Sequence, residues 1–314
     1  MDSLHVDESE LGPLLGACPV CGFSAERKPY VQLQSRPEVT LLRCDSCGGK
    51  SASRFPNESF LASLYDPQHY HSDLIESPRA LARLASHIVK HLPVHLRKKE
   101  LRIVDFGGSD GSLSKMVLEK LAAQGGSGKS TATVVDLYTK ESSAQLRFID
   151  VERFWQSTDR YDVVLASAVI EHLSNLPQVL SQLFEVCSPG GLFFARSPCD
   201  APLQRFFPNY RVKWPRHLHD LGPEFWSKFP KTFGISGKVL RSAPSIVESD
   251  FSMQPVRTLL ATALKFPAHV ENAFIKPLLR YQINQWDLVG GWEYFFQVER
   301  TLARREHHKD EQSS

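Results

Sequence analysis

The chain has 314 residues, of which 42% are hydrophobic and 23% are charged. This length suits two domains or one domain with an appendage, and the composition can build a core, which excludes a disordered chain. Lysine and arginine total 37 against 35 acidic residues, and this balance argues against a protein that coats nucleic acid. The sequence has neither a long apolar run nor a basic, apolar leader, so we expect no membrane span and a cytoplasmic location.

Four cysteines near the N-terminus form two pairs, Cys18–Cys21 and Cys44–Cys47, and a glycine follows each pair. Two intervening residues let both thiolates of a pair face one tetrahedral centre, and the glycine permits a tight turn. Disulfides and a redox pair are the alternatives. The expected reducing compartment disfavours the first, and the duplication of the pair disfavours the second. We therefore predict a structural zinc ion, closed by four thiolates, on a two- or three-stranded ribbon.

Strand-like and helix-like stretches alternate beyond residue 100. Five apolar stretches have the length and composition of strands: LRIVDF, TVVDL, LRFI, YDVVLA and GLFFARS. Amphipathic helices between them predict a parallel sheet with helices on both faces. We expect the glycines of SPGG to cap the helix before the fifth strand. Three further elements are predicted after it: a helix in GPEFWSKFPKTF, a strand in GKVLRS and a last strand in WEYFFQVER.

These patterns divide the chain into segments. Ser77 is the expected N-cap of a helix that begins at Pro78. The predicted segments are a flexible lead-in at 1–15, a zinc ribbon at 16–56, a helical connector at 57–95, a core at 96–302 with an insert at 244–290, and a flexible tail at 303–314.

A glycine-rich loop follows the first strand of the core. Asp105 lies at the end of that strand, and the loop contains Gly107, Gly108, Ser109 and Gly111. Nucleotide-like ligands meet parallel sheets at this kind of strand–loop–helix junction. The spacing does not fit the dinucleotide fingerprint, because its third glycine would fall at a serine. A carboxylate at the strand end would repel a pyrophosphate, but it can pair with an ammonium group.

Two more acidic residues end the neighbouring strands. Asp136 follows the second strand and can accept hydrogen bonds from both hydroxyls of a ribose. Asp150 follows the third strand and can bond an adenine amino group. Each aspartate alone could equally cap a turn or a helix. Together, in this order, they predict a ligand with an amine, a ribose and an adenine but no phosphate.

Residues 101–199 resemble the class I S-adenosylmethionine-dependent methyltransferases. Asp105-x-Gly107-x-Ser109-x-Gly111 matches the family's first motif, except that serine replaces the middle glycine. The other matches are Asp136 with the ribose-binding acid, Asp150-Val151-Glu152 with the adenine-edge segment, residues 161–173 with the fourth-strand motif, and residues 188–192 with the turn into strand five. The segment 216–226 is similar to one in relatives that carry an N-terminal zinc ribbon.

The resemblance implies a Rossmann-like α/β fold with a seven-stranded, mostly parallel sheet in which WEYFFQVER is inserted antiparallel. It implies S-adenosylmethionine as the methyl donor and transfer to O, N or C of a small molecule. The insert at 244–290 is expected to cover the acceptor side and to mediate homodimer contacts. The residues expected to bind the donor are Asp105, Gly107, Gly108, Ser109, Gly111, Asp136, Asp150, Val151 and Ser167.

His217 and His219 are the candidate catalytic residues, because their loop is expected at the mouth of the donor site. Histidine can take a proton from an acceptor near neutral pH, although the pair could instead orient the loop or stack on Trp214. Glu171 and His172 are interpreted as structural or close to the donor. Further candidates for the acceptor side are Tyr65, Tyr70, His71, Phe206, Phe207, Tyr210 and Trp214, although aromatic clusters more often serve packing alone.

Two other functions are consistent with the same sequence. One is an RNA methyltransferase that uses the ribbon as a nucleic-acid grip, although the near-neutral charge and the few basic residues of the ribbon count against it. The other is a non-catalytic interaction module whose core has lost donor binding. The serine at position 109 is the only feature of the sequence that supports this last hypothesis.

Overall fold

The computed structural model describes residues 4–65, 77–207, 210–246, 255–279 and 286–301. The predicted tail and the candidates Tyr70 and His71 lie outside these ranges. The strands of the described part are β1 (Arg27–Ser35), β2 (Glu38–Cys44), β3 (Lys50–Ala52), β4 (Arg102–Phe106), β5 (Thr131–Val135), β6 (Leu146–Ile149), β7 (Tyr161–Ser167), β8 (Cys187–Cys199), β9 (His219–Asp220), β10 (Ile235–Pro244) and β11 (Gly290–Thr301).

Helices occupy much of the remaining described chain. In chain order they are α1 (Glu58–Leu64), α2 (Pro78–Lys90), α3 (Ser112–Ala123), α4 (Val151–Gln156), α5 (Leu176–Val186), α6 (Ala201–Phe206), α7 (Pro223–Phe233), α8 (Pro255–Val270) and α9 (Lys276–Leu279). As predicted, the Ser77 hydroxyl caps α2 by accepting a hydrogen bond from the Ala80 amide at 3.2 Å. Within the described ranges, no helix has both the length and the hydropathy needed to span a bilayer.

The larger sheet has seven strands in the order β10-β11-β8-β7-β4-β5-β6. Strands β8, β7, β4, β5 and β6 are mutually parallel, and β11 runs antiparallel to both of its neighbours. This confirms the predicted Rossmann-like α/β fold. Because β4 to β7 are parallel, their carboxyl ends meet at one edge of the sheet, hereafter the carboxyl edge.

Each face of this sheet carries its own layer of helices. Adjacent residues of β4 show the division, since Ile103 packs with residues of α2 and α3 whereas Val104 packs with residues of α5 and α7. Side chains alternate between the two faces of a strand, so buried strands covered on both faces are apolar throughout. The predicted coverage by helices on both faces is confirmed.

The smaller sheet joins the N-terminal ribbon to the core. Its order is β1-β2-β3-β9, so the two-residue strand β9 of the core completes the ribbon. Lys50 of β3 and Asp220 of β9 form a buried ion pair at 2.7 Å. Burial alone would lower the pKa of the Lys50 ammonium group, but the attraction of Asp220 raises it above its ordinary value. The predicted ribbon of two or three strands therefore has a fourth.

Two local predictions differ from the structure. Helix α5 ends at Val186, and the following Cys187 has φ −74°, so SPGG does not cap the helix. Gly190, with φ +80°, lies instead where the pairing of β8 with β7 is irregular. The lead-in, predicted to be flexible, is packed: Val6 and Leu11 are buried in a cluster that includes Trp214, because their apolar side chains complete it.

Candidate functional site

The four N-terminal cysteines converge, as predicted for a metal centre. Their Sγ atoms all lie within 4.8 Å of one another, and the Cys18 and Cys47 sulfurs are 3.9 Å apart. A tetrahedron with Zn–S bonds of about 2.3 Å has sulfurs about 3.8 Å apart, so the set fits zinc. The Cys21 and Cys47 thiols hold the pKa of Cys18 below its ordinary value, and the same contacts hold the pKa of Cys21 and Cys47 above theirs, as expected when several thiols share one small space.

Zinc occupancy of this centre is a testable prediction. Purified protein is expected to carry one zinc per chain by elemental analysis, and Cys44→Ser is expected to lose the metal and to lower the melting temperature by several degrees. Cys187→Ala is the control, because Cys187 is buried in the core outside the cluster and should leave the zinc content unchanged. Full zinc content in the Cys44 variant would contradict the assignment.

The glycine loop between β4 and α3 is built directly on Asp105. This side chain is 1% exposed, and its Oδ2 accepts a hydrogen bond from the Ser114 hydroxyl at 2.8 Å. Burial raises the pKa of the Asp105 carboxyl to about 7. A Cβ atom at Gly108 would lie 2.7 Å from the Asp105 Cγ and 2.9 Å from Val134, so only glycine fits above this carboxyl. The carboxyl therefore lies beneath the loop.

The same loop is tied to the end of β5. The Ser109 amide donates a hydrogen bond to Asp136 Oδ2 at 2.7 Å, and the Leu137 amide donates to the other carboxylate oxygen at 2.8 Å. Gly107 and Gly111 have φ values of +71° and +75°, which glycine adopts without strain. The structure thus brings together the predicted donor residues of β4, β5 and the loop at the carboxyl edge.

Ser109 adopts φ +50°, a left-handed conformation that is costly for a residue with a side chain. Ser109→Gly, which restores the glycine of the family motif, is expected to raise the free energy of unfolding by about 0.5–1 kcal/mol while donor binding is retained. Ser157→Gly is the control, because Ser157 has an ordinary φ of −78° and glycine should destabilise it. Denaturant unfolding measures both variants, and a loss of stability in Ser109→Gly would contradict the prediction.

The other donor candidates occupy the ends of the next strands. Asp150 is the N-cap of α4, where its carboxylate accepts a hydrogen bond from the Arg153 amide at 2.7 Å, and Val151 begins that helix. Ser167 ends β7, and its hydroxyl accepts a hydrogen bond from Arg196 Nε at 3.1 Å. These residues follow β6 and β7 at the carboxyl edge. Their contacts to a donor remain predictions.

A cluster of titratable side chains lies just beyond β7. Glu171, His172 and His217 place one ligand-type atom each within 4.8 Å of the others. The His172 and His217 rings meet edge to face at 4.9 Å. A Cβ at Gly107 would strike Val169, so the segment that leads from β7 to Glu171 packs against the glycine loop two residues before this cluster. We call these three residues the edge cluster.

The hydrogen bonds of His172 define its tautomer. Its Nδ1 lies 2.8 Å from the Arg216 carbonyl oxygen, which can only accept, so Nδ1 carries the proton. The Tyr65 hydroxyl, 2.9 Å from the same nitrogen, therefore accepts from it as well. The lone pair of the neutral ring is then on Nε2, which lies 3.8 Å from Glu171 Oε1. Tyr65, a predicted acceptor-side residue, is thus joined to the edge cluster.

Burial sets the protonation of the edge cluster. It raises the pKa of the Glu171 carboxyl to about 7 and lowers the pKa of His172 to about 4. Burial, with the neighbouring His172, also lowers the pKa of His217 well below its ordinary value. Glu171 Oε2 is buried without a hydrogen-bond partner. The Glu171 carboxylate can therefore accept a proton near neutral pH, where both histidines resist protonation. The ligand-type atoms of the cluster are also close enough together to share a cation.

The two candidate catalytic histidines occupy different environments. His217 belongs to the edge cluster and is 8% exposed, whereas His219 is 1% exposed on β9. His219 Nε2 donates a hydrogen bond to the Leu173 carbonyl oxygen at 2.8 Å, and its ring packs edge to face on Phe55. The structure therefore does not place His219 with His217. The contacts of His219 with Leu173 and Phe55 instead fix the position of β9.

Sequence reasoning did not identify Glu171 and His172 as part of a reactive cluster. The chain separates them from His217 by more than forty residues, and only the fold brings them together. The Glu-His pair after the fourth strand, combined with a second histidine-rich segment, was the available signal. Among the aromatic candidates, Trp214 is buried in the ribbon–core cluster, while Phe206 and Phe207 are exposed.

The parallel sheet, the glycine loop and the acids after successive strands define a class I methyltransferase domain. A family model described as a methyltransferase domain matches residues 75–233, about half of the chain. The chain belongs to this methyltransferase family.

Several characterised proteins are similar to parts of the chain. The ubiquinone biosynthesis O-methyltransferase of Methylobacterium nodulans is 27% identical over 158 residues, covering 48% of this chain and 61% of the relative. The ubiquinone biosynthesis O-methyltransferase of Agrobacterium fabrum is 26% identical over 117 residues, covering 36% of this chain and 47% of the relative. The matches thus span about three fifths or less of these relatives. The plantazolicin methyltransferase BpumL, solved with SAH, has a TM-score of 0.45 at 16% identity, covering 78% of this chain and 91% of that chain.

Proposed function

We propose that the protein transfers a methyl group from S-adenosylmethionine to a hydroxyl oxygen of a small molecule. The edge cluster is the observation that carries this proposal, because it holds a buried carboxyl with a pKa of about 7, two residues after Val169, which packs against the glycine loop. A hydroxyl acceptor must lose a proton during methylation, and a base of this strength suits neutral pH. The similarity to O-methyltransferases supports oxygen over nitrogen or carbon.

In this proposal the donor is held at the carboxyl edge. The amides and glycines of the loop approach it, Asp136 accepts hydrogen bonds from the ribose, and Asp150 with Val151 lies along the adenine. When bound there, S-adenosylmethionine supplies an electrophilic methyl group on a sulfonium centre. The chain's main task is then to align the acceptor oxygen with that methyl, because holding two reactants in the productive geometry can lower a barrier by roughly 7–11 kcal/mol.

Glu171 has the role of proton acceptor in the proposed reaction, and His217, whose lowered pKa makes it the weaker base, lies beside it. The Glu171 carboxylate would take the proton of the acceptor hydroxyl as the hydroxyl oxygen bonds to the methyl carbon and the methyl–sulfur bond breaks, which would release S-adenosylhomocysteine. Tyr65 and His172 keep this pair in place, since the His172 Nδ1–H group is held by the Arg216 carbonyl and the Tyr65 hydroxyl. His219 has a positioning role through its bond to Leu173.

Calorimetric titration with S-adenosylhomocysteine tests the donor site first. We expect saturable one-to-one binding by zinc-loaded protein and none of NAD. Transfer of labelled methyl from S-adenosylmethionine to a panel of catechols, with matched anilines as the nitrogen control, then tests the acceptor class. Failure of folded protein to bind S-adenosylhomocysteine would favour the non-catalytic interaction module, and methylated anilines without methyl ethers would overturn the hydroxyl assignment.

A further inference from the structure

The helices of the insert expose an unusual amount of apolar surface. The described part of the chain has sixteen large apolar side chains that are well exposed, and seven of them fall between residues 255 and 279. Exposed apolar side chains that are scattered singly need no explanation, whereas a contiguous patch marks an interaction surface. These seven side chains, each 61–81% exposed, are Val256, Leu259, Leu260, Phe266, Phe274, Leu278 and Leu279, and we call them the insert face.

The spacing and anchoring of α8 explain why this face points outward. Val256, Leu259, Leu260 and Phe266 recur at intervals that place them on one side of the helix. The opposite side is fixed to the end of β10, where Lys265 Nζ donates to the Ser245 carbonyl oxygen at 2.7 Å. Rotation of α8 to bury the stripe would break this buried hydrogen bond, so the apolar side chains remain outside.

The charge of the insert face limits which kind of partner can bind to it. Among the side chains described in 255–279, Lys265 and Glu271 are buried and Lys276 is half-buried, so the exposed ones carry no lysine, arginine or acid. A helix that docks on an anionic membrane usually presents lysine and arginine beside its apolar stripe. A face whose described exposed side chains carry no such charge can meet its own copy across a two-fold axis without repulsion between those side chains.

The extent of the insert face suits a dimer. A fully exposed phenylalanine offers roughly 150–250 Å² and the smaller valine and leucine somewhat less, so at 61–81% exposure the seven residues together expose on the order of 900 Å². A stable interface takes about 800 Å² from each partner. We propose that the insert face binds the same face of a second copy of this chain. The insert joins β10 to β11 beside the end of β8, so the two copies would meet next to the carboxyl edge.

Sedimentation velocity on the full-length, zinc-loaded protein tests this proposal. The double variant Leu259→Lys/Phe266→Lys puts two charges into the proposed contact. Leu14→Lys is the control, because it puts a charge at a position outside the insert where the natural leucine is 75% exposed. We expect a dimer for the natural protein and for Leu14→Lys, and dimerisation at least about a hundredfold weaker for the double variant. Unchanged melting of the double variant at low concentration would show that it is folded.

Three results would overturn the proposal. A natural protein that stays monomeric across the whole concentration range has no such interface, and a double variant that remains dimeric uses another surface. A monomeric natural protein that floats with phosphatidylglycerol vesicles, while the double variant does not, would assign the insert face to lipid. None of these results depends on the methyl acceptor or on donor binding, so the proposed function can fail separately.

Discussion

Asp136→Ala is expected to weaken binding of S-adenosylhomocysteine by about a hundredfold or more. The carboxylate would lose its hydrogen bonds to the ribose, and bonds to a charged group contribute about 1.5–3 kcal/mol each. The same substitution removes the acceptor of the Ser109 and Leu137 amides, so the glycine loop also loses its tie to β5. Isothermal titration calorimetry on the natural protein and the variant measures the change in affinity.

Two further variants separate these contributions to donor binding. Glu141→Ala removes an exposed acid five residues further along and should leave affinity unchanged. Asp136→Asn keeps an oxygen for one loop amide but removes the charge, so we expect an intermediate loss. If Asp136→Ala binds S-adenosylhomocysteine as well as the natural protein does, the ribose assignment is wrong.

Glu171→Gln is expected to reduce turnover by about 10²–10⁴-fold with donor affinity unchanged, because the glutamine side chain cannot take the acceptor's proton. In the natural protein, turnover should rise with pH as the Glu171 carboxyl ionises around its pKa of about 7. The variant should lack this rise. Glu119→Gln, at an exposed position of α3, is the control. The pH profile of kcat, measured with a member of the catechol panel that the natural protein methylates, decides between the outcomes.

The stability of Glu171→Gln separates a catalytic role from a purely structural one. Burial raises the pKa of Glu171 from 4.5 to about 7, so the folded state holds this proton more tightly than the unfolded state. The free energy of unfolding therefore decreases as the pH rises from 4.5 to about 7. Above this range it stays lower than at acidic pH, and the contribution of Glu171 to the difference is at most about 3 kcal/mol. Above about pH 8, glutamine should raise the free energy of unfolding. A variant that is both inactive and destabilised there would indicate a structural role.

Sequence patterns predicted the elements that depend on local residues. The apolar run of β4, the serine cap of α2 and the cysteine spacing all act within a few positions, and the structure follows them. The antiparallel placement of β11 came from the family resemblance, because the strand's own residues do not specify its neighbours. The sequence also predicted that the acids after successive strands lie at one edge of the sheet, since the carboxyl ends of parallel strands meet there.

Features made by distant residues were not predictable in this way. The pairing of Lys50 with Asp220 joins positions 170 residues apart, and neither residue has a local signal for it. His217 and Glu171 became neighbours only because the Leu218 amide donates to the Glu171 carbonyl oxygen at 2.8 Å. The prediction that SPGG caps a helix was wrong because a helix cap and an irregular strand can both contain a glycine in the left-handed conformation.

The strand shared between ribbon and core has a consequence for how the chain is made. On the ribosome, residues 16–56 emerge early, and β3 can pair with β2, yet its second partner β9 is missing until residue 220 has left the tunnel. Until then the Lys50 ammonium group cannot form its buried ion pair with Asp220. The Asp200 and Ala201 amides, which donate hydrogen bonds to the same carboxylate, are not yet in place either. The N-terminal module is therefore completed late in biosynthesis. Excising it for transfer to another protein would remove Lys50 and leave a buried aspartate in the core without its cation.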